Sequence, residues 1–376
     1  MKKLTTSSIG EIQDYYNSYM NLGEGYIVDL VLATRISLRF KKPLWLCIQG
    51  APSSGKTEVL NMLKDNPKCH FLYDITGKTL FSGANGAEGG YIPREVGDEG
   101  IIIFPDFTTV LSGPKYTQSN IMSQLRVIHD GDASRLTGID TNRKIPWSGK
   151  VGVLLAVTDA IEGFKKKASS LGERFLYYRH DVPEFNPIDY KKPSIPLEFP
   201  KEELVKNIDM MNKVDLPGLS DDWYIKIKCA AYWIARGRRA VHRDSRTKEI
   251  IQIFPPEEPY RLIEQFSTLI RSLILVHTHY NERTDDIFRH VVYSCIPIDR
   301  ITIISSTFHS KDCSVNKGYL NEFLPYSKSK IHILLEDMVK LDLIVKKEDK
   351  YYLELTFGTL MVKWLTSSTV FEKVNG

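Results

Sequence analysis

The sequence predicts an α/β protein built on a mostly parallel sheet. Three features support this: short apolar runs such as residues 43 to 48, 100 to 104 and 151 to 157 alternate with helical stretches, they end in polar or acidic residues, and one of them passes through a glycine-bearing turn directly into a helix. Parallel strands covered on both faces need continuous apolar sequence, and ligand chemistry then collects at their carboxyl ends.

Taken in order, residues 11 to 40 read as mostly helical, with Tyr26, Val28, Leu30, Val31, Leu32 and Ile36 supplying an apolar side. Residues 43 to 48 form a strand that runs into Gly50-Ala51-Pro52-Ser53-Ser54-Gly55-Lys56-Thr57, followed by a helix from 57 to 64 that Asn66-Pro67 closes. Residues 68 to 73 are the next strand, 74 to 98 are glycine-rich and polar, and 100 to 106 are a buried strand ending in an acid. A helix over 116 to 130 leads to extended pieces at 135 to 137 and 144 to 147 around a polar tip, a β-hairpin. Residues 151 to 159 are a further central strand, and a helix starts near Ile161.

The proline-rich stretch from 183 to 200 marks a boundary. Helices are expected beyond it at 201 to 211, 221 to 236 and 256 to 281, then at 284 to 295, 315 to 324 and 328 to 341, before a hairpin of 343 to 345 with 351 to 355. Three helices and a charged-tipped hairpin are the order of a winged helix-turn-helix. The expected domains are a lead-in over 1 to 40, an α/β core over 41 to 200, a helical lid over 201 to 281 and a winged helix over 282 to 376.

With 50 basic against 46 acidic residues the net charge is +4, so a nucleic-acid partner must be argued from local placement. The five cysteines are scattered and never in CxxC spacing, which excludes a disulfide framework and a zinc site as readings. No secretory apolar region opens the chain and no apolar run is long enough to span a bilayer. A cytoplasmic location and no membrane partner are expected.

Gly50-x-x-x-x-Gly55-Lys56-Thr57, between a strand and a helix, satisfies the Walker A pattern. Such a loop, here including Ser53 and Ser54, points successive N–H groups at phosphates; Lys56 reaches the β and γ phosphates and Thr57 gives an oxygen to magnesium. Asp106 at the tip of its strand fits the acid that completes the magnesium sphere, so ATP and Mg2+ are the expected ligands. Phe107 follows, where many ATPases carry a water-polarising glutamate. Glu88, Glu95 and Glu99 are only loose substitutes, and the base stays unassigned.

Asp159, after Thr158, reads either as a group orienting water at the γ phosphate or as a strand-end cap. Arg174, in Gly172-Glu173-Arg174-Phe175, reads as a finger reaching a neighbouring subunit's site or as a surface ion-pair partner. Arg261 is the candidate lid arginine. Arg236, Arg238, Arg239 and Arg243, the densest basic cluster, read equally as nucleic-acid contacts or as a solvated face. In the last helix Lys328, Lys330 and His332, with Ser329, would face a groove or phosphates, and Glu336, Asp337 and Asp342 oppose them.

The order of elements resembles the AAA+ superfamily, in the branch with a hairpin before sensor 1 that includes MCM replicative helicases and bacterial enhancer-binding activators. Phe81-Ser82-Gly83-Ala84-Asn85-Gly86-Ala87 lies where those proteins interrupt a core helix. Asp106-Phe107-Thr108, Leu125-Arg126-Val127-Ile128-His129-Asp130-Gly131 and Gly172-Glu173-Arg174-Phe175 are similar to motifs of bacterial and phage MCM-like ATPases. The resemblance covers roughly residues 30 to 280. It implies that Arg174 is a trans-acting finger, Arg261 a second sensor, and a homo-oligomeric ring, a hexamer, the active form. It also implies that Asn142, Arg143 and Lys144 at the hairpin tip face a pore and track DNA. Thr158-Asp159 departs from the family's sensor 1 asparagine. The expected function is an ATP-binding and hydrolysing oligomeric motor or remodeller acting on DNA. Two alternatives stay open: an ATP-controlled winged-helix transcription regulator, and a weakly hydrolysing switch or scaffold that recruits protein partners.

Overall fold

Continuous apolar strands need cover on both faces, and the computed structural model, which describes residues 7–18, 20–76, 79–81, 90–136, 144–163, 173–182 and 199–365, arranges them that way. Along the chain come β1 (Trp45–Gln49), β2 (Cys69–Phe71), β3 (Glu99–Phe104), β4 (Asp132–Leu136), β5 (Lys144–Ser148), β6 (Lys150–Val157) and β7 (Leu176–Arg179). Five of them form one sheet in the order β2-β3-β6-β1-β7. Every pairing in it is parallel. β4 and β5 pair antiparallel as the expected hairpin, with Asp132 opposite Ser148 and Leu136 opposite Lys144. The expected tip, 138 to 143, and the proline-rich stretch from 183 to 198 lie outside the described residues.

Four of the sheet strands fall where apolar runs predict them. β7 was not expected, because Leu176-Tyr177-Tyr178-Arg179 is too short to show a period, and only its pairing with β1 makes it a strand. The first helical stretch is also divided. Helix Ser7–Asn17 and helix Tyr26–Ile36 are separated by a turn in which Gly23 and Gly25 take φ of 59° and 66°. An L-residue with a side chain rarely adopts that conformation, so the break is written in glycine.

The chain divides into two compact units. The first holds the five-stranded sheet and comprises Met1–Ile161, Arg174–Gly218 and Thr268–Phe288. Its helix Tyr26–Ile36 is buried from Ile27 to Ile36 and carries Asp29 inside. A buried carboxylate must be paired. Arg283 Nη2 lies 2.6 Å from Asp29 Oδ2, His277 Nε2 lies 2.8 Å from Oδ1, and Gln13 Nε2 donates at 3.2 Å.

The second unit comprises Glu162–Glu173, Leu219–Ser267 and Arg289–Gly376. Ser220 caps helix Asp221–Gly237 by accepting from Trp223 N. Trp233 in that helix stacks on Phe357 at 5.2 Å and meets Trp364 at 5.1 Å, which fastens the final helix Leu355–Leu365. β8 (Val241–Arg243) and β9 (Ile250–Ile253) form a hairpin not anticipated between the helices. The C-terminal order is helix Ile298–His309, β10 (Ser314–Asn316), helices Lys317–Phe323 and Lys328–Lys340, then β11 (Ile344–Lys347) and β12 (Lys350–Leu353). β12 lies between β10 and β11 in an antiparallel sheet. Helix Ile298–His309 was missed because Ile301-Thr302-Ile303-Ile304 is β-branched throughout and weakly helical on propensity. Among the described residues no helix is long and apolar enough to cross a membrane.

Candidate functional site

β1 delivers Gly50 to the carboxyl edge of the sheet, where Gly50 N bonds Val157 O at 3.1 Å. The loop that follows passes through Ser53 at φ 60° and Gly55 at φ 84° before helix Lys56–Asn61 begins. Left-handed residues interspersed in a tight turn direct successive backbone N–H groups toward a common concavity, the geometry that receives anions. A Cβ at Gly55 would stand 2.8 Å from Met20 Sδ and 3.2 Å from Leu22 Cδ2. The segment that divides the two N-terminal helices therefore rests on this loop, and reading 11 to 40 as mostly helical hid both side chains.

Lys56 is buried with its ammonium 2.9 Å from Gly50 O, 2.6 Å from Ala51 O and 3.1 Å from Ser54 Oγ. Burial holds its pKa below the usual lysine value, while the Asp159 and Asp106 carboxylates act in the opposite sense. Thr57 Oγ1 donates to Pro105 O at 3.3 Å, which sets the hydroxyl beside Asp106. Asp106 is exposed at the end of β3, and its Oδ1 accepts from Thr108 N at 2.9 Å. Asp159 follows β6, which lies between β1 and β3, so the chain there leaves the sheet between the strand that feeds the loop and the strand that leads to Asp106. Gln49, the last residue of β1, holds the Asp159 carboxylate with an Nε2 to Oδ1 bond of 2.9 Å. Gln49 was not singled out from sequence, because a polar residue ending an apolar strand has no spacing signature.

Phe107 stands where many ATPases carry a glutamate, and its side chain is committed to the core. It is 2% exposed and its ring lies 5.2 Å from that of Phe104. Of the loose substitutes, Glu99 opens β3 at the opposite end from Asp106, paired with Lys150 at 2.6 Å and Lys68 at 3.3 Å. Glu95 also precedes β3 and pairs with Arg94. Neither belongs to the site, and Glu88 lies outside the described residues.

Arg174 stands before the amino end of β7, whereas the loop lies at the carboxyl end of β1, parallel to it. Six residues of extended chain separate position 174 from the loop's level, roughly 20 Å at the rise of a strand. The side chain instead lies 3.6 Å from Asp130. It is therefore not brought to the loop of its own chain. Arg261 belongs to the second unit, where Nη1 donates to Glu173 O at 2.9 Å.

Lys328, Lys330 and His332 are all exposed on a helix that Ser327 caps, and the buried Ile331, Leu334, Leu335 and Met338 define its other face. Lys330 Nζ sits 3.7 Å from the Tyr326 ring centroid, and His332 Nδ1 lies 3.2 Å from Lys317 Nζ. Of the acids that oppose them, Glu336 and Asp337 are engaged by Arg243 at 2.9 and 2.8 Å. The arginine cluster is a structural fastening. Arg236 donates to Asp342 O, Arg239 to Phe254 O and Leu341 O, and buried Arg238 pairs with Glu257. Asn142 and Arg143 lie outside the described residues, as does the side chain of Lys144 at the start of β5.

Among the described residues no group of three or more His, Cys, Asp and Glu is placed to hold a metal ion. Magnesium does not need one, since it takes one or two carboxylates and completes its octahedron with water and phosphate oxygens. Thr57 and Asp106 have that chemistry. Comparison with protein-family models and with curated proteins returns no match for this chain.

Proposed function

We propose that this chain is a P-loop ATPase of the AAA+ kind that works as a homo-oligomer on DNA. The observation that carries the reading is the convergence of Lys56, Thr57, Asp106 and Asp159 at the carboxyl ends of β1, β3 and β6, around a loop with left-handed residues. The N–H groups from Ser53 to Thr57 cradle the phosphates of ATP, and Lys56 lies against the terminal ones. Thr57 and Asp106 hold Mg2+, which neutralises phosphate charge. Asp159, fixed by Gln49, orients the attacking water. Arg174 serves a neighbouring copy, because its own loop lies at the far edge of the sheet, and Arg261 is the lid arginine. A hexameric ring follows from the family resemblance.

The helix, strand, two helices and hairpin of the C-terminal region support a winged helix, with Lys328, Lys330 and His332 toward DNA. The β4–β5 hairpin, with Asn142, Arg143 and Lys144, is the second DNA element. Unbonded cysteines and the absence of a spanning helix among the described residues are compatible with the cytoplasm.

One observation favours a second reading. Phe107 is committed to the core beside Asp106, which suits slow hydrolysis and a switch or regulator that responds to bound ATP. Steady-state ATP hydrolysis with and without single- and double-stranded DNA, with Lys56→Ala as blank, separates the two. DNA-stimulated turnover that the blank lacks supports the motor. ATP binding with negligible turnover supports the switch, and equal behaviour of wild type and Lys56→Ala would sink both.

A further inference from the structure

β7 ends at Arg179, and the next residue, His180, is 2% exposed. Its backbone N–H donates to Gln49 O at 2.7 Å, which carries the β1–β7 pairing one residue further and brings His180 level with Gly50. The approach is close: a Cβ at Gly50 would stand 2.9 Å from His180 O and 3.3 Å from His180 Cβ. Glycine at position 50 therefore admits His180 as well as starting the loop.

From there the imidazole reaches the loop, where Nε2 lies 2.9 Å from Ser54 O. A carbonyl oxygen only accepts, so Nε2 carries the hydrogen. In a trans peptide the C=O and the following N–H point in opposite directions. Holding the Ser54 carbonyl on the His180 side thus aims the Gly55 N–H away from it. That peptide joins Ser54 to Gly55, which takes φ 84° two residues after Ser53 at φ 60°, in a turn where a loop with no lateral support has other conformations available.

We infer that His180 is a positioning residue for phosphate binding: through Ser54 O it fixes the direction in which the loop presents the Gly55 N–H. The inference rests on the reading of residues 50 to 57 as an ATP phosphate cradle. It assigns β7, which the sequence did not reveal, a role in the site.

The test compares wild type, His180→Leu, His180→Gln and Lys56→Ala by calorimetric titration with Mg2+ and a non-hydrolysable ATP analogue, by kcat and KM, and by hydrogen exchange of the loop peptide without nucleotide. His180→Leu removes the donor and should weaken analogue binding about ten-fold, the equivalent of one lost hydrogen bond, with the loss in KM rather than kcat. Its loop peptide should exchange faster. His180→Gln keeps an N–H donor at similar reach and should restore binding to within about three-fold. His180→Leu that binds and exchanges like wild type overturns the inference, as does His180→Gln that is equally impaired, since the ring's packing would then be what matters. Wild type that binds the analogue no better than Lys56→Ala overturns the ATP reading itself.

Discussion

Phe107 packs edge-on against Phe104, with ring centroids 5.2 Å apart and planes at 65°. The residue following Asp106 is thereby held in the core by the strand that leads to that acid. A carboxylate there would be buried without a partner. Phe107→Glu should therefore lower the thermal unfolding midpoint without raising ATP turnover. Phe107→Ala should cost about 3–5 kcal/mol in denaturant titration. Faster turnover in Phe107→Glu at an unchanged midpoint would show that position 107 faces the nucleotide.

Asp159 and Asp106 both favour the charged form of Lys56, against the burial that disfavours it. Removing one carboxylate lowers the lysine pKa further. If charged Lys56 is needed for phosphate, activity declines above that pKa, and the alkaline limb of the kcat/KM profile should lie at lower pH in Asp159→Asn than in wild type. An unshifted limb would detach Asp159 from Lys56.

Burial pushes the Asp29 carboxyl up, but hydrogen bonds from His277 and Arg283 outweigh it and hold the pKa below the usual 3.8. A depressed carboxylate contributes stability that is present above its unfolded pKa and lost as pH falls through the folded value. At pH 6 Asp29→Asn should be less stable by about 3–5 kcal/mol, because it leaves buried His277 and the Arg283 guanidinium without their partner. The gap to wild type should narrow as the pH drops below about 4. A gap constant down to pH 2 would mean that the charge plays no part.

Arg174 meets Asp130, whose side chain is 62% exposed, and a pair of that kind is worth about 0–1 kcal/mol. Arg174→Ala should leave the unfolding midpoint and ATP affinity close to wild type. It should abolish the rise of specific activity with protein concentration that a residue acting between copies produces. Retention of that rise would return Arg174 to a local ion pair.

Arg243 holds Glu336 and Asp337, and burial pushes the Asp337 carboxyl up even with that arginine beside it. Arg243→Ala should destabilise the fold and leave the salt dependence of DNA binding intact. Lys328→Gln with Lys330→Gln should do the reverse, weakening DNA binding and reducing the slope of log K against log salt by about 1 to 2. A reduced slope in Arg243→Ala alone would make the cluster a DNA contact.

The amino-acid sequence by itself determined the α/β class, four strands of the sheet, the hairpin β4–β5 and the loop from Gly50 to Thr57 followed by a helix. Each is encoded in consecutive residues, as an apolar run, a glycine at fixed spacing or a polar tip. Asp106 and Asp159 were legible for the same reason, since each ends such a run. Tertiary structure alone decided what depends on contact across the chain. Gln49 reaches Asp159 over 110 residues of sequence and His180 reaches Ser54 over 126. Phe107 is turned inward by Phe104, and the arginines from 236 to 243 are consumed by partners as far away as Glu354. No local period records such pairings, because they follow from which strands lie side by side, and the order β2-β3-β6-β1-β7 exists only once the sheet has closed around its core.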